Sequence, residues 1–497
     1  MTVLEPVAET QVVKQNRTRE IAISALIGVL FFLLLQATPD VPGGFDGYRH
    51  VKQAWRILAE PRAMFSDPWR VAYFWPKPVD AWFGYEALLA PFTAILPLIA
   101  ALKLFSAIIF GGIAYVLFQL LRFLNIEHRI GWVVVILTGS SVTLCRATTV
   151  RPFLLSVLLT LVAALLTLKD KPVKLLLVSA LHAVSYSMFF LAGLAPAMWL
   201  LVRRDRASLK LALASGAGIC LGLLVNPYFP QNLLFDFLQA KVVKIGLDAH
   251  VRMGGELYPV NSWWWLPASL IIATLWVSAL IFRRKSSAAS NLFFLLSIAT
   301  FLGSLRVGRT ADFFVPFAML FAATVLNPYA VKLRGDLKYV GALFALICGV
   351  NVFLTFQYGR TSPSLDRFRG AAEFLKREAP GELVANAQWG DYQYLFFLNS
   401  QNRYMIGIEP TFMYMNSARK YWLWQHMSDD EPSTCGREFC ADAERTDISR
   451  AVRDELGARY ILAEHIVNPR LEALLRQHEG VQEVFRDASF SIFELAK

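Results

Sequence analysis

The octapeptide GGFDGYRH, Gly43 to His50, sets an aspartate, an arginine and a histidine directly after an apolar run, between glycines that leave the backbone bare. A carboxylate can take a proton from a nucleophile, and an arginine can grip two phosphate oxygens in a fork. The same company of acids and arginines recurs beside other apolar runs. Asp80 and Glu86 follow in the same stretch, Arg146 and Arg151 stand in LCRATTVRPFLL, and Arg306, Arg309 and Asp312 in LRVGRTADFF. Each has a plainer reading. Asp46 could cap a helix or sit in a solvated turn; Arg306 and Arg309 could anchor helix ends among headgroups; Glu86 could cap, or pair with Arg70 or Lys77. Arg49 and His50 could touch phosphate or merely start a helix, and His182 with Tyr186 reads more simply as a satisfied polar pair inside a bundle than as a ligand.

Topology decides between these readings. Of 497 residues 56% are apolar and 18% charged, with a mean hydropathy of +0.44, a composition that excludes an ordinary soluble chain. Segments near 20–38, 100–121, 130–145, 152–168, 173–188, 189–202, 208–226, 263–282, 290–305, 311–327 and 338–356 read as about eleven transmembrane helices. The net charge of +11 would suit nucleic acid if it formed one patch. It falls instead in short clusters between apolar runs, so no nucleic-acid partner is expected. With Lys14, Arg17 and Arg19 in the cytoplasm, the loops RFLNIEHR, KDKPVK, RRDRASLK, RRK and KLRGDLK all fall on that same side. Residues 1–19 are then a cytoplasmic tail before a retained anchor, and 20–357 a membrane domain with outer loops 39–99 and 227–262.

The acids and arginines named beside the apolar runs, from Asp46 to Asp312, thereby lie at the outer face. Within loop 39–99, VKQAWRILAE has the spacing of a short amphipathic helix and WFGYEALLAPFTAILP is an apolar segment. With Trp55, Trp69, Trp75 and Trp82 the loop reads as an aromatic element lying on the bilayer. Loop 227–262 offers a second interfacial helix, with Leu234, Phe237, Leu238, Val242 and Ile245 at helical spacing, and an MGG hinge over which the loop could close on a substrate or stay fixed. Residues 358–497 turn globular: SLDRFRGAAEFLKREAPG is a helix ended by Pro-Gly, and ELVANAQ, ARYILAEHI and FSIFELAK supply strands of an α/β domain outside the membrane. Cys435 and Cys440 of CGREFC suit a short-loop disulfide if that domain lies in an oxidising compartment, while Cys145, Cys220 and Cys348 sit in apolar segments.

An opening span, an outer loop with the carboxylate of FDGYRHVKQAWR, many further spans and an outer α/β domain resemble the GT-C superfamily of polyprenyl-phosphate-dependent glycosyltransferases. That family includes oligosaccharyltransferase catalytic subunits, protein O-mannosyltransferases and aminoarabinose transferases. The resemblance implies an integral inner (plasma) membrane enzyme that moves a sugar from a polyprenyl-(pyro)phosphate donor to a lipid, polysaccharide or protein acceptor, with Asp46 as its catalytic carboxylate. QWGDYQY is similar to the Trp-Trp-Asp-Tyr-Gly acceptor motif of oligosaccharyltransferases, with Trp389, Asp391 and Tyr392 matching and Gly390 and Gln393 departing. A buried turn with Trp389 and Tyr392 as core is the alternative. The resemblance also implies a divalent cation, Mg or Mn, on outer-loop acids; only Asp46 and Glu86 could hold it here, because the second outer turn carries arginines and no acid. Two other classes stay open: a transporter or flippase of lipid-linked sugars, and a non-catalytic envelope assembly protein.

Overall fold

The computed structural model describes residues 24–43, 45–74, 77–260, 262–283, 287–332 and 337–496. The tail 1–19, the start of the first apolar segment and Trp75 lie outside them. Within the described residues every apolar segment read from the sequence is helical. Four stretches, Leu98–Phe123, Arg206–Val225, Gly308–Tyr329 and Lys338–Glu378, are long and apolar enough to cross a membrane. Shorter apolar helices accompany them, including Ser24–Leu35, Phe153–Leu168, Pro172–Ser185, Leu191–Arg203, Leu270–Phe282 and Ala288–Ser304. The chain is an integral membrane protein of mostly helical build with a small sheet at its C-terminal end.

Residues 130–145 form two helices instead of one, Arg129–Thr138 and Ser141–Thr148, bent by 74°. At the corner a Cβ on Gly139 would stand 2.4 Å from the Val135 carbonyl oxygen and 2.9 Å from Ile272, so only glycine fits there. Ser140 then caps the second helix by accepting the Thr143 N–H, which satisfies one of the donors the break frees. This bend turns the following segment, with Arg146 and Arg151, toward the first outer loop.

Much of the aromatic first loop is packed against protein. One helix, Phe45–Ala59, takes in FDGYRH and VKQAWRILA together, and Tyr48, His50, Val51, Gln53, Ala54 and Arg56 on it are all buried. It packs between the helix Phe83–Ile95 and the C-terminal helix Tyr392–Leu398. An amphipathic period reports one buried face and is silent on whether lipid or protein covers it. A Cβ on Gly47 would meet Val150 Cγ2 at 2.8 Å, so this glycine allows the helix to lie against the turn that presents Arg151.

The C-terminal strands are β1 (Leu383–Asn386), β2 (Arg403–Tyr404), β3 (Ser433–Thr434), β4 (Thr446–Asp447), β5 (Tyr460–Glu464), β6 (Val481–Arg486) and β7 (Phe490–Leu495). Five of them form a sheet in the order β2-β1-β5-β7-β6, parallel among β2, β1 and β5 and antiparallel beyond. Its open β2 edge takes a parallel bridge from Val71 of the first loop to Tyr404, and the Tyr404 backbone hydrogen-bonds Arg70 and Ala72 of that loop. The edge is thus covered by the chain itself, which locks the first loop to the sheet. β3 and β4 pair separately, next to the disulfide Cys435–Cys440, whose Cα atoms are 5.7 Å apart.

Candidate active site

A cavity of about 270 Å³ opens where these parts converge, lined among others by Asp46, Arg49, Arg151, Glu256, Arg309 and Gln393. Asp46 stands in the first turn of Phe45–Ala59, where helix N–H groups favour a negative charge. Its Oδ2 lies 3.3 Å from Arg151 Nη1, and its Oδ1 accepts from Gln393 Nε2 at 3.3 Å. The second Gln393 contact, to the Gly407 carbonyl at 3.4 Å, fixes the amide from the other side. Both carboxylate oxygens are therefore held by groups from two different elements.

Arg151 also binds Glu256 Oε1 at 3.1 Å, so one guanidinium joins the first-loop acid to an acid of the second long loop. Val150, just before it, has φ of 51°, a costly conformation for a β-branched residue that persists only when neighbours enforce it. Those neighbours are present: Gly47 leaves room for the Val150 side chain, and the Tyr85 hydroxyl donates to its carbonyl at 3.1 Å. Burial pushes the Glu256 carboxyl up, but Arg151, Arg146 and Arg309 outweigh it and hold it down at about 2. The MGG segment is tied, not free. Gly254 N–H donates to Glu409 Oε2 at 3.1 Å, Arg252 N–H to the Tyr421 hydroxyl at 2.8 Å, and the Arg252 guanidinium reaches Ser428 and Asp429.

Glu409 lines the cavity and differs sharply from Glu256. Burial pushes its carboxyl up to about 8 against the Gly254 N–H, and the nearby Glu256 charge pushes the same way. An acid raised from 4.5 to about 8 binds its proton more tightly folded than unfolded, so the stability it contributes is full below the unfolded value and lost as pH rises through 8. The thermal midpoint of the native protein should accordingly fall between pH 4.5 and 8 relative to Glu409→Gln, measured in detergent. Parallel curves would refute this placing of the proton.

The other sequence candidates divide. Arg49, Arg309 and Trp389 line the cavity with Asp46 and Arg151, Trp389 donating its indole N–H to the Ile408 carbonyl at 2.7 Å. Arg306 is exposed and does not line it. Arg146 is turned to Asp312, with Nε 2.9 Å from Oδ2, and stands behind the wall. Glu86 pairs with His50 at 2.7 Å instead of with Arg70 or Lys77, and both are buried out of the lining. Asp391 and Tyr392 are core: burial and Glu464 push the Asp391 carboxyl well up, and the Tyr392 hydroxyl donates to the Trp69 carbonyl at 2.6 Å. His182 shares a hydrogen bond with Ser156 at 2.5 Å and lies parallel to the Tyr186 ring, but its Nδ1 is buried without a hydrogen-bond partner among the described residues, so the polar pair expected from the sequence is only half satisfied. The cation pair Asp46 and Glu86 does not assemble, because each carboxylate is engaged elsewhere. Among the described residues no group of three His, Cys, Asp or Glu side chains could hold a metal ion. Gln393, Glu256 and Glu409 are additions that the sequence does not announce; single polar residues in loops and helix starts carry no spacing signal.

An apolar groove of about 420 Å³ runs beside the helix Gln231–Asp248, lined by Met188, Phe189, Phe190, Phe237 and Val243, and shares Gln239, Leu257 and Arg309 with the polar cavity. Arg309 stands at the join, its Nε buried without a hydrogen-bond partner among the described residues.

No protein-family model matches the sequence, and no curated protein does. Solved structures are similar to it over nearly its whole length. One is the archaeal oligosaccharyltransferase AglB from Archaeoglobus fulgidus in complex with an inhibitory peptide and a dolichol-phosphate, with a TM-score of 0.60 at 11% identity over 95% of this chain and 74% of that one. Another is ArnT from Cupriavidus metallidurans in the apo state, with a TM-score of 0.56 at 11% identity over 96% and 98%. The chain has a GT-C-like fold, as the resemblance of its first-loop motif implied.

Proposed function

We propose that the protein is a membrane glycosyltransferase that moves a sugar from a polyprenyl-(pyro)phosphate donor to an acceptor outside the cytoplasm, a lipid, polysaccharide or protein. The observation that carries this is the join at Arg309: a polar cavity lined by Asp46 and an apolar groove share wall residues there, and an arginine whose Nε is buried without a partner among the described residues stands between them. A lipid-linked sugar has the same three parts in the same order. The tail fits the groove, the phosphate meets Arg309, and the sugar lies against Asp46. Arginine suits that position because it stays charged in a low-dielectric site.

The chemistry is an inverting displacement. The acceptor hydroxyl attacks the anomeric carbon while Asp46 takes its proton, the bond from that carbon to the phosphate oxygen breaks, and the polyprenyl phosphate leaves with the electron pair, its charge met by arginine. Arg151 and Gln393 aim the Asp46 carboxylate. The Cys435–Cys440 disulfide supports an oxidising compartment for the C-terminal part, and the basic loops read from the sequence support a cytoplasmic N-terminus. The Mg or Mn ion that the resemblance implied finds no matching donor set, so no step runs through it.

Gln393→Ala removes one of the two holds on Asp46 and should lower transfer on the order of fivefold to tenfold, with donor binding kept. Steady-state kinetics would show this as a fall in kcat with KM unchanged; a change in KM alone would contradict it. The function itself is tested by mass spectrometry of polyprenyl-linked sugars and envelope glycans with and without the protein. Accumulated donor together with one glycan missing a sugar supports transfer, and unchanged pools contradict it.

A further inference from the structure

Arg49 is a buried charge in the cavity wall. It is 2% exposed, its guanidinium is clasped between the rings of Trp69 and Trp82 at 4.6 and 4.7 Å, and neither its Nε nor its Nη1 has a hydrogen-bond partner among the described residues. A buried arginine with two idle donors in a cavity wall is prepared for an anion that the chain does not supply. Its third nitrogen, Nη2, is engaged with His50 Nε2 at 2.8 Å.

Behind it runs a chain of buried groups. His50 Nδ1 lies 2.7 Å from Glu86 Oε1, while Glu86 Oε2 and Asp80 Oδ2 are buried without a hydrogen-bond partner among the described residues. His50 is 1% exposed, and Glu86 and Asp80 are fully buried. Because Arg49 can only donate, His50 Nε2 must accept, which puts the imidazole proton on Nδ1, donating to Glu86. Burial and the Arg49 and Arg151 charges keep the ring neutral, holding His50 well below its ordinary value. Two buried carboxyls in contact cannot both ionise. Burial and the Asp80 charge push the Glu86 carboxyl well up, and burial pushes the Asp80 carboxyl up as well. Asp80 Oδ1 in turn accepts the Trp82 N–H at 2.8 Å, and the Trp69 indole donates to the Val79 carbonyl at 2.6 Å, so the same loop sets both clasping rings.

We propose that Arg49 is a second phosphate-oxygen receptor of the donor site, beside Arg309, and that His50 and Glu86 are positioning residues forming a hydrogen-bond relay that holds its Nη2 and leaves its Nε and Nη1 free for that oxygen. This rests on the donor read above.

Glu86→Gln keeps an oxygen that can accept the His50 N–H, whereas Glu86→Ala removes that acceptor. The probe is a short-chain polyprenyl phosphate, with the matching polyprenol as its uncharged control, titrated into the purified full-length protein by calorimetry. Arg49→Gln, His50→Ala and Glu86→Ala should each weaken phosphate binding about tenfold or more and leave polyprenol binding within about twofold, while Glu86→Gln stays within about twofold of native on both. A merely structural role would lower both ligands together. Equal losses in Glu86→Gln and Glu86→Ala, or native-like phosphate binding by Arg49→Gln, would overturn the relay while leaving the donor class intact. Native protein that does not prefer the phosphate over the alcohol would overturn the donor reading, and the relay with it.

Discussion

Asp46→Asn is expected to lower sugar transfer about 10²- to 10⁴-fold, the range a positioned general base contributes. The amide has the size and shape of the carboxylate. Its oxygen can still accept from Gln393, which reaches Asp46 Oδ1 at 3.3 Å in the native chain, and Arg151 keeps its second partner, Glu256, at 3.1 Å. The fold and the wall of the cavity are therefore retained, and the thermal midpoint should move little. What is lost is the ability to take the acceptor's proton as the bond to phosphate breaks. The fall should appear in kcat, with binding of a polyprenyl phosphate unchanged. A folded Asp46→Asn protein that transfers sugar at close to the native rate would remove the mechanism.

Arg151→Gln should have the second largest effect, on activity and stability together. Arg151 is the shared partner of Asp46 and Glu256, so its removal frees the Asp46 carboxylate from one of its two holds and leaves two acids facing each other without their cation. A loss of orientation of this kind costs about 10²-fold in rate. For stability the sign follows from Glu256. Its carboxyl is held down at about 2 from 4.5, so it contributes stability that is present above its unfolded value and is lost as pH falls from 4.5 toward 2. In Arg151→Gln the largest of the three arginine attractions is lost, so that carboxyl moves up toward 4.5 and the contribution shrinks. The thermal midpoint of the variant should lie below native at neutral pH, and the two curves should converge as the solution is acidified. A gap that widened on acidification would show that Glu256 is not held by Arg151.

Part of this is plain in the sequence. The apolar segments, the strands β1, β5 and β7 and the helix ended by Pro380 and Gly381 in EAPG follow from periodicity and turn residues, while Asp46 is singled out by the arginines of the outer face and by the family resemblance, and it lines the cavity. The surroundings of Asp46 do not. Gln393 is one of the positions where QWGDYQY departs from the oligosaccharyltransferase motif, yet it is the residue of that stretch that reaches Asp46. The matching Asp391 and Tyr392 serve the core instead. A motif fixes residue types along the chain, while contact with a residue 347 positions away depends on how the sheet docks on the first loop. The loop itself reads as a bilayer element because Trp69 and Trp82 are typical of membrane belts, whereas in the fold they clasp Arg49. Glu256 and Glu409 are invisible for a related reason: an isolated acid in a loop acquires meaning only from the arginine or backbone N–H placed beside it.

The transporter reading and the transferase reading differ in one bond. Purified protein reconstituted in liposomes with a synthetic polyprenyl-phosphate-linked sugar, and an envelope extract as acceptor source, can be followed by mass spectrometry of the lipid. The account requires free polyprenyl phosphate to appear with the sugar transferred and its anomeric configuration inverted, in native protein and not in Asp46→Asn. Donor recovered intact, whether or not it has crossed the bilayer, would contradict it.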